Sequence, residues 1–425
     1  MSQQATRTAD EGEVSRPPLA GIRVLELGST VAGPFCGRML ADFGAQVIKV
    51  EPAAGDPVRT MGKQFDGKSL YAASIFRNKQ LIGVDLHQAE GREIVRQIAL
   101  KSDVVVENFR PGTLEKWGLG WKELSAVNPR LVMVRISGYG QDGPYASRPG
   151  YGVISEALSG LRYLTGDPDR PPSRIAVSMT DYITGLHAAF GCVMALMVRK
   201  ETGRGQCIDA ALYECAFNFM EPWIGAYEKL GHVANRAGSR LAESTPNNLY
   251  PTGDGSFIHI TAMADNLFRR LADAMAKPGL AEDARFAEAL ERNRNSAALD
   301  AILAEWTSSL PLAVLEEKLA TAGVPATRIF TIADIFKDPH YAARQSIVHA
   351  AGGEIGAVAM AAAVPRLSKT PGAIRHAGHR VGEDTRAVLS ELLGYDAARI
   401  AELEKADVVH CADAAAGAAV TRARA

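Results

Sequence analysis

Five short runs of β-branched and aliphatic residues, separated by helical stretches, constrain the fold of the first third of this chain more than any other feature. The runs are residues 22–27, 45–50, 81–86, 103–107 and 131–136. Between them, 33–43 and 89–101 read as helices, and Gly44 stops the first. Strands that alternate with helices of this length build βαβ units and a mostly parallel, doubly wound sheet. Ligands of such sheets bind beyond the carboxyl ends of the strands. Here that directs attention to the segments after Leu27, Val50, Glu107 and Ile136.

The pattern changes after about Glu228. Residues 232–248 are polar and loop-like, 256–261 read as a strand, and 264–322 carry three amphipathic helical stretches. The expected division is a large domain over 17–228, a smaller α+β domain over 229–330, and a return to the large domain over 331–410, with a helix at 383–393. Residues 1–16 are expected to form a disordered tail and 411–425 a frayed one.

Composition narrows the function classes. A net charge of -1 gives no electrostatic case for nucleic acid or an anionic membrane. The apolar run from Gly185 to Val198 falls short of the ~18–20 residues that span a bilayer and reads as a buried helix. Residues 1–16 lack the apolar core of a signal peptide. Five cysteines, Cys36, Cys192, Cys207, Cys215 and Cys411, are scattered and form no C-x-x-C pair. That argues for a reducing compartment, with the cytoplasm as the default, and against a disulfide framework or a zinc site.

Asp181 opens the long apolar run, in Ser178-Met179-Thr180-Asp181-Tyr182. An acid there can complement the helix dipole and accept backbone N–H bonds. It can also be a carboxylate held still and partly dry, able to attack an electrophile. Local sequence favours the capping role. Other signals are read in the same way. Gly28-Ser29-Thr30-Val31-Ala32-Gly33 follows a strand and opens a helix, a context suited to phosphate, but its glycine spacing is not that of a dinucleotide fingerprint. Arg77-Asn78-Lys79-Gln80 precedes the third strand, and Glu107-Asn108-Phe109-Arg110 follows the fourth, with Lys116 beyond. The latter is either an Asx-turn with a solvated basic face or a site that collects phosphates. The segment 137–145 is a glycine-rich loop after the fifth strand. The histidines do not gather, His187 reads as a satisfied core residue, and no G-x-S-x-G is present.

Taken in order, these segments resemble the family III CoA-transferases, the formyl-CoA transferase and carnitine–bile acid CoA-transferase family. The likeness runs over about residues 18–405. It is carried by residues 18–27, by Val31-Ala32-Gly33-Pro34-Phe35, by 40–51, 107–112 and 137–145, by Glu201-Thr202-Gly203-Arg204-Gly205-Gln206, and by Gly382-Glu383-Asp384-Thr385. The resemblance implies a Rossmann-like large domain, a smaller domain and an interlocked homodimer. It implies coenzyme A as substrate and product, with no permanently bound cofactor and no metal. It places the nucleophilic aspartate at Asp181 and coenzyme A near Val31, Ala32, Arg77, Asn78, Lys79, Gln80, Asn108, Phe109, Arg110 and Lys116. Where the family often has a basic residue after the second strand's glutamate, this chain has Pro52, and Arg38, Lys63 or Arg110 stand in as candidates.

The same fold hosts α-methylacyl-CoA racemases, which use a His-Asp pair in the segment before the nucleophile. Those positions hold Tyr151 and Gly152 here, and neither is the base a racemase needs. Many transferases carry an acid where Gly152 stands, and Glu156, one turn on, is a candidate substitute. The transferase reading runs through an aspartyl mixed anhydride and an aspartyl-CoA thioester. Its expected donor is succinyl-CoA or a similar short dicarboxyl-CoA, and its acceptor a small carboxylic acid. Arg236, Arg240 and Arg328 are candidates for a second substrate carboxylate. The alternatives are a racemase and a non-catalytic CoA-binding protein.

Overall fold

A computed structural model of the 425-residue chain describes residues 16–413. The chain divides into two units: Met1–Ser159, Ala176–Met220 and Gln345–Ala425 form one, and Gly160–Ile175 with Glu221–Arg344 the other. The expected tails at 1–16 and 411–425 fall almost wholly outside the described residues. Cys411, at the edge of the second tail, is buried.

The first unit is built on a seven-stranded sheet. Its order runs Val409–His410, Lys79–Val84, Gln46–Glu51, Arg23–Glu26, Val104–Glu107, Val132–Ser137, Cys207–Ala211. All neighbours pair in parallel except the Val409–His410 edge strand. The expected doubly wound parallel sheet is therefore present. Alternation along the strands explains why both faces are covered, because successive side chains point to opposite sides. Val24, Val104, Val106, Val132 and Val134 pack on one face against the helices Ala32–Asp42 and Met179–Thr202. Leu25, Val105 and Met133 pack on the other with the helices Ala89–Leu100, Thr385–Leu393 and Ala397–Lys405. Each fully buried Val, Leu or Ile side chain contributes about 1.5–3 kcal/mol. Two members of the sheet were not foreseen. Val409–His410 has only two residues, and Cys207–Ala211 is Cys-Ile-Asp-Ala-Ala, with a single β-branched residue.

The long helix Met179–Thr202 is seated by small residues. A Cβ on Gly185 would lie 2.8 Å from the Ala32 carbonyl oxygen, so only glycine lets this helix approach its neighbour so closely. The helix ends at Gly203, whose φ of 73° is a left-handed cap, and Gly203 N–H returns to the Arg199 carbonyl. It is long and apolar enough to cross a membrane, which the sequence reading of 185–198 did not allow for. Only part of it faces the core: Leu186, Phe190, Val193, Met194, Met197 and Val198 form an exposed stripe, with Phe190 at 63% and Met197 at 66%.

The second unit holds a three-stranded antiparallel sheet, Ala326–Arg328, Phe257–Thr261 and Asn247–Pro251. Tyr250, Ile258 and Ile260 pack there with Phe268, Leu271, Leu299, Leu303, Leu315 and Leu319 from the helices Asp265–Ala274, Ser296–Ser308 and Leu312–Thr321.

Candidate active site

Strand order reverses between Arg23–Glu26 and Val104–Glu107, and an open α/β sheet leaves a crevice at such a point. The two loops that leave these strands are tied together there. Asn108 accepts the Ser29 N–H at its Oδ1 (2.7 Å) and donates from Nδ2 to the Ser29 carbonyl (2.8 Å). Lys49 donates to the Gly28 carbonyl (2.6 Å), and the Thr30 N–H donates to Asp56 Oδ1 (3.1 Å). Three side chains, Lys49 inside the strand Gln46–Glu51, Asp56 in the loop after it and Asn108 after Val104–Glu107, thus fix the Gly28–Thr30 turn before the Ala32–Asp42 helix begins. Val31 and Ala32 are themselves buried at that helix start.

Beneath the turn lies a network of buried charges. Lys79 Nζ sits 2.7 Å from Glu26 Oε2, and Lys49 Nζ sits 3.0 Å from Asp56 Oδ2, with all four side chains almost fully buried. Arg59 closes the row on Glu51 at 2.7 Å. Burial pushes the Lys79 ammonium down to about 8, against the opposing pull of Glu26. Burial also disfavours the charge on Lys49, but Asp56, Glu26 and Glu51 hold its pKa above the usual lysine range. A Cβ on Gly37 would meet Glu26 Oε2 at 1.8 Å, so the network also dictates a glycine in the adjacent helix. The sequence carried a signal for it. A lysine inside the buried run Val47-Ile48-Lys49-Val50 needs a partner, because an unpaired buried charge is costly.

The crevice itself is a cavity of about 210 Å³ walled by Leu27, Gly28, Pro52, Leu86, Phe109 and Trp117. Phe109 and Trp117 meet edge to face at 5.3 Å. The Phe109 N–H donates to Glu107 Oε2 (2.8 Å), and Glu107 also pairs with Arg135 (2.8 Å). Burial raises Glu107 to about 7, with Arg135 and the Phe109 N–H opposing. Arg110 and Lys116 are exposed beyond this wall and belong to no ion pair among the described residues. A larger cavity of about 550 Å³ lies elsewhere in the unit, beside Arg59, Lys68, Gly378 and Glu383. Its Arg59 is bound to Glu51 and its Arg380 to Glu383, so size and chemistry point to different places. The strand-end crevice has Arg110 and Lys116 next in sequence to Phe109 and Trp117 of its wall.

The 77–80 segment lies at the other end of the sheet, where its strand begins. Arg77 is buried, with its guanidinium on the Asp42 carboxylate (3.0 Å from Nε) and the Ala361 carbonyl (2.7 Å). Asn78 takes a left-handed φ of 63°, a conformation asparagine tolerates, and bridges Asp42, the Ala373 carbonyl and the Arg375 N–H. Gln80 pairs with Gln46 at 2.8 Å. Arg77, Asn78 and Lys79 therefore brace the interior, and this differs from the expectation that they face a phosphate. The physical reason is position: they stand at the start of their strand, whereas Asn108–Arg110 follow the end of theirs.

Asp181 is half-buried, the third residue of its helix, and so lies inside the first turn, past the Ser178 N-cap. Its neighbour Tyr182 stacks edge to face on Phe35 at 4.8 Å and shares a 2.8 Å hydrogen bond between hydroxyls with Tyr71. Burial, Tyr182 and Asp181 all raise the Tyr71 pKa, so its hydroxyl stays protonated. This aromatic wall escaped the sequence reading because its members lie far apart in the chain. Gly152, at the start of the helix Gly152–Leu158, lies directly under the carboxylate: a Cβ there would come within 1.9 Å of Asp181 Oδ2. Glu156, the candidate substitute acid, is buried one turn along the same helix. His187 Nδ1 lies 2.9 Å from the Ile183 carbonyl, consistent with a satisfied helix residue. Among the described residues no His, Cys, Asp and Glu cluster could hold a metal ion.

Residues 19–385 match the family model described as CoA-transferase family III. The chain belongs to CoA-transferase family III. It is a CoA-transferase, acting on acyl-CoA thioesters. Among its relatives, the succinyl-CoA–D-citramalate CoA-transferase of Chloroflexus aurantiacus is 45% identical over 92% of this chain and 98% of that protein. The succinyl-CoA–L-malate CoA-transferase beta subunit of the same organism is 41% identical over 94% of this chain and 100% of that one. The crystal structure of a CAIB/BAIF family protein from Brucella suis superposes with a TM-score of 0.79 at 36% identity, covering 89% of this chain and all of that one.

Proposed function

We propose that this enzyme moves CoA from succinyl-CoA to a small dicarboxylic acid of the citramalate or malate type, with Asp181 as the covalent nucleophile. The observation that carries this reading is the seating of Asp181 beside an aromatic wall, on a chain that matches succinyl-CoA-dependent relatives over nearly its whole length. The Asp181 carboxylate attacks the thioester carbonyl, the C–S bond breaks, and CoA leaves as thiolate. The thiolate attacks the aspartyl carbonyl of the mixed anhydride, giving an aspartyl-CoA thioester and free succinate. The acceptor carboxylate then displaces CoA from Asp181. In the last step the thiolate attacks the acceptor's carbonyl, which forms the new thioester and regenerates Asp181. Every bond made is matched by one broken, and no net proton is transferred. A carboxylate is already ionised at neutral pH, so no general base is needed.

Phe35, Tyr71 and Tyr182 exclude water from one side, which protects an anhydride from hydrolysis. Coenzyme A is assigned to the strand-end crevice, with the Gly28–Ala32 turn, Asn108 and Phe109 shaping it and Arg110 and Lys116 facing the phosphates. Arg77 and Lys79 support the site from within. Arg236, Arg240 and Arg328 are engaged inside the second unit, with the Asp167 carbonyl, Ser296 and Glu316 respectively. They are weaker candidates for the second substrate carboxylate than the sequence suggested. The exposed apolar stripe of the Met179–Thr202 helix supports the homodimer, since a face of that kind needs a partner.

The test is succinyl-CoA with a panel of acceptors, including citramalate, malate, glutarate and oxalate, with succinate release followed. Transfer to at least one hydroxylated or dicarboxylic acid is expected, together with loss of transfer in Asp181→Ala. Full activity of Asp181→Ala, or proton exchange at the acyl α-carbon without transfer, would sink the proposal.

A further inference from the structure

We infer that Gly152 is a positioning residue for the nucleophile, and that its missing side chain fixes the Asp181 carboxylate in place. The inference rests on the reading of Asp181 as nucleophile and adds a specific requirement to it. The contact is close on every side. A Cβ at Gly152 would lie 1.9 Å from Asp181 Oδ2, 2.8 Å from its Cγ and 3.3 Å from Oδ1, with those three atoms its nearest neighbours. The carboxylate therefore occupies the volume that any side chain at 152 would need. The backbone does not demand glycine, because Gly152 lies outside the left-handed region. The three nearest obstacles to a side chain there all belong to Asp181.

The platform under the carboxylate is itself held rigid. Gly138 and Gly150 approach so closely that a Cβ on either would come within 2.8 Å of the other's Cα. Ser155, in the same short helix as Gly152, donates to the Gly138 carbonyl at 3.4 Å. On the opposite side, Gly185 seats the helix that carries Asp181 against the Ala32 carbonyl and the Phe35 ring. Two close glycine contacts, Gly138 on Gly150 and Gly185 on Ala32 and Phe35, thus hold the segments on either side of the carboxylate, and Gly152 sets the gap between them. A bulkier residue must turn Asp181 away from this position or push the helices apart. A carboxylate at 152 would likewise need Asp181 in a different position, so the placement of Asp181 described here goes with a bare main chain at 152.

The test is Gly152→Ala, measured for turnover, substrate affinity and melting temperature, in both the native chain and Asp181→Ala. A misplaced nucleophile should lower kcat about 100-fold and leave KM for succinyl-CoA within about threefold. Gly152→Ala should also lower the melting temperature of the native chain more than that of Asp181→Ala, because the clash needs the carboxylate. A kcat within about threefold of native would overturn the inference. So would an equal loss of melting temperature in both backgrounds, which marks a purely structural glycine. If Gly152→Ala fails to fold, recovery of folding in the double variant supports the contact, and failure of both overturns it. Retained turnover in Asp181→Ala would remove the nucleophile reading on its own, while the melting-temperature comparison would still report the contact.

Discussion

Arg77-Asn78-Lys79 and Asn108-Phe109-Arg110 are both short polar and basic segments at ends of strands in one sheet, yet the fold uses them in opposite ways. The first stands at the start of its strand and turns inward: Arg77 and Lys79 are buried on Asp42 and Glu26, and Asn78 pins the returning segment at Ala373 and Arg375. The second follows its strand at the switch point, where Asn108 ties two loops together and Arg110 stays exposed. A basic residue at a strand end is thus no guide to ligand binding until its partners are known. Charges already neutralised by a buried carboxylate hold the scaffold, and Arg110, exposed at the switch point, is the one proposed to meet phosphate.

The largest expected effect that can break this contrast comes from Lys79. Lys79→Ala removes the nearer of the two lysines on buried Glu26 and leaves only Lys49 at 3.6 Å, which should cost about 3 kcal/mol of stability in urea unfolding. The molecules that remain folded should bind CoA with unchanged affinity. Loss of CoA affinity without loss of stability would place Lys79 on the ligand. Next in size, Arg110→Ala should leave the urea midpoint unchanged and raise KM for succinyl-CoA about tenfold, an effect that shrinks as salt is added. A shifted midpoint with unchanged KM would reverse the two roles.

The smallest effect is a pH slope at Glu107. Its folded pKa of about 7 lies above the ordinary 4.5, so the native state holds the extra proton. The stability contributed by this group is complete below the unfolded pKa and is lost as pH rises through the folded one. Between pH 4.5 and 7 the native chain should therefore lose stability relative to Glu107→Gln. Parallel pH profiles would show that Glu107 titrates normally.

These contrasts also mark what a sequence can and cannot disclose. The five strands of the first third were readable because each is a β-branched run buried on both faces. Cys207–Ala211 lacked that density, and Val409–His410 was too short to register. The proposal of Asp181 as nucleophile comes from the order of motifs around it, whereas its local surroundings suggest a cap. Its close approach to Gly152 was not readable, since that contact joins residues 29 positions apart. The fate of Arg77 was hidden for the same reason, because its partner Asp42 lies 35 residues earlier.

The most direct test of Asp181 as a covalent nucleophile is mass spectrometry of the enzyme after incubation with succinyl-CoA, with and without hydroxylamine. A hydroxamate confined to the peptide carrying Asp181, and absent without the thioester, is the expected result. An unmodified Asp181 in an enzyme that still transfers CoA, or a hydroxamate on another residue, would contradict it.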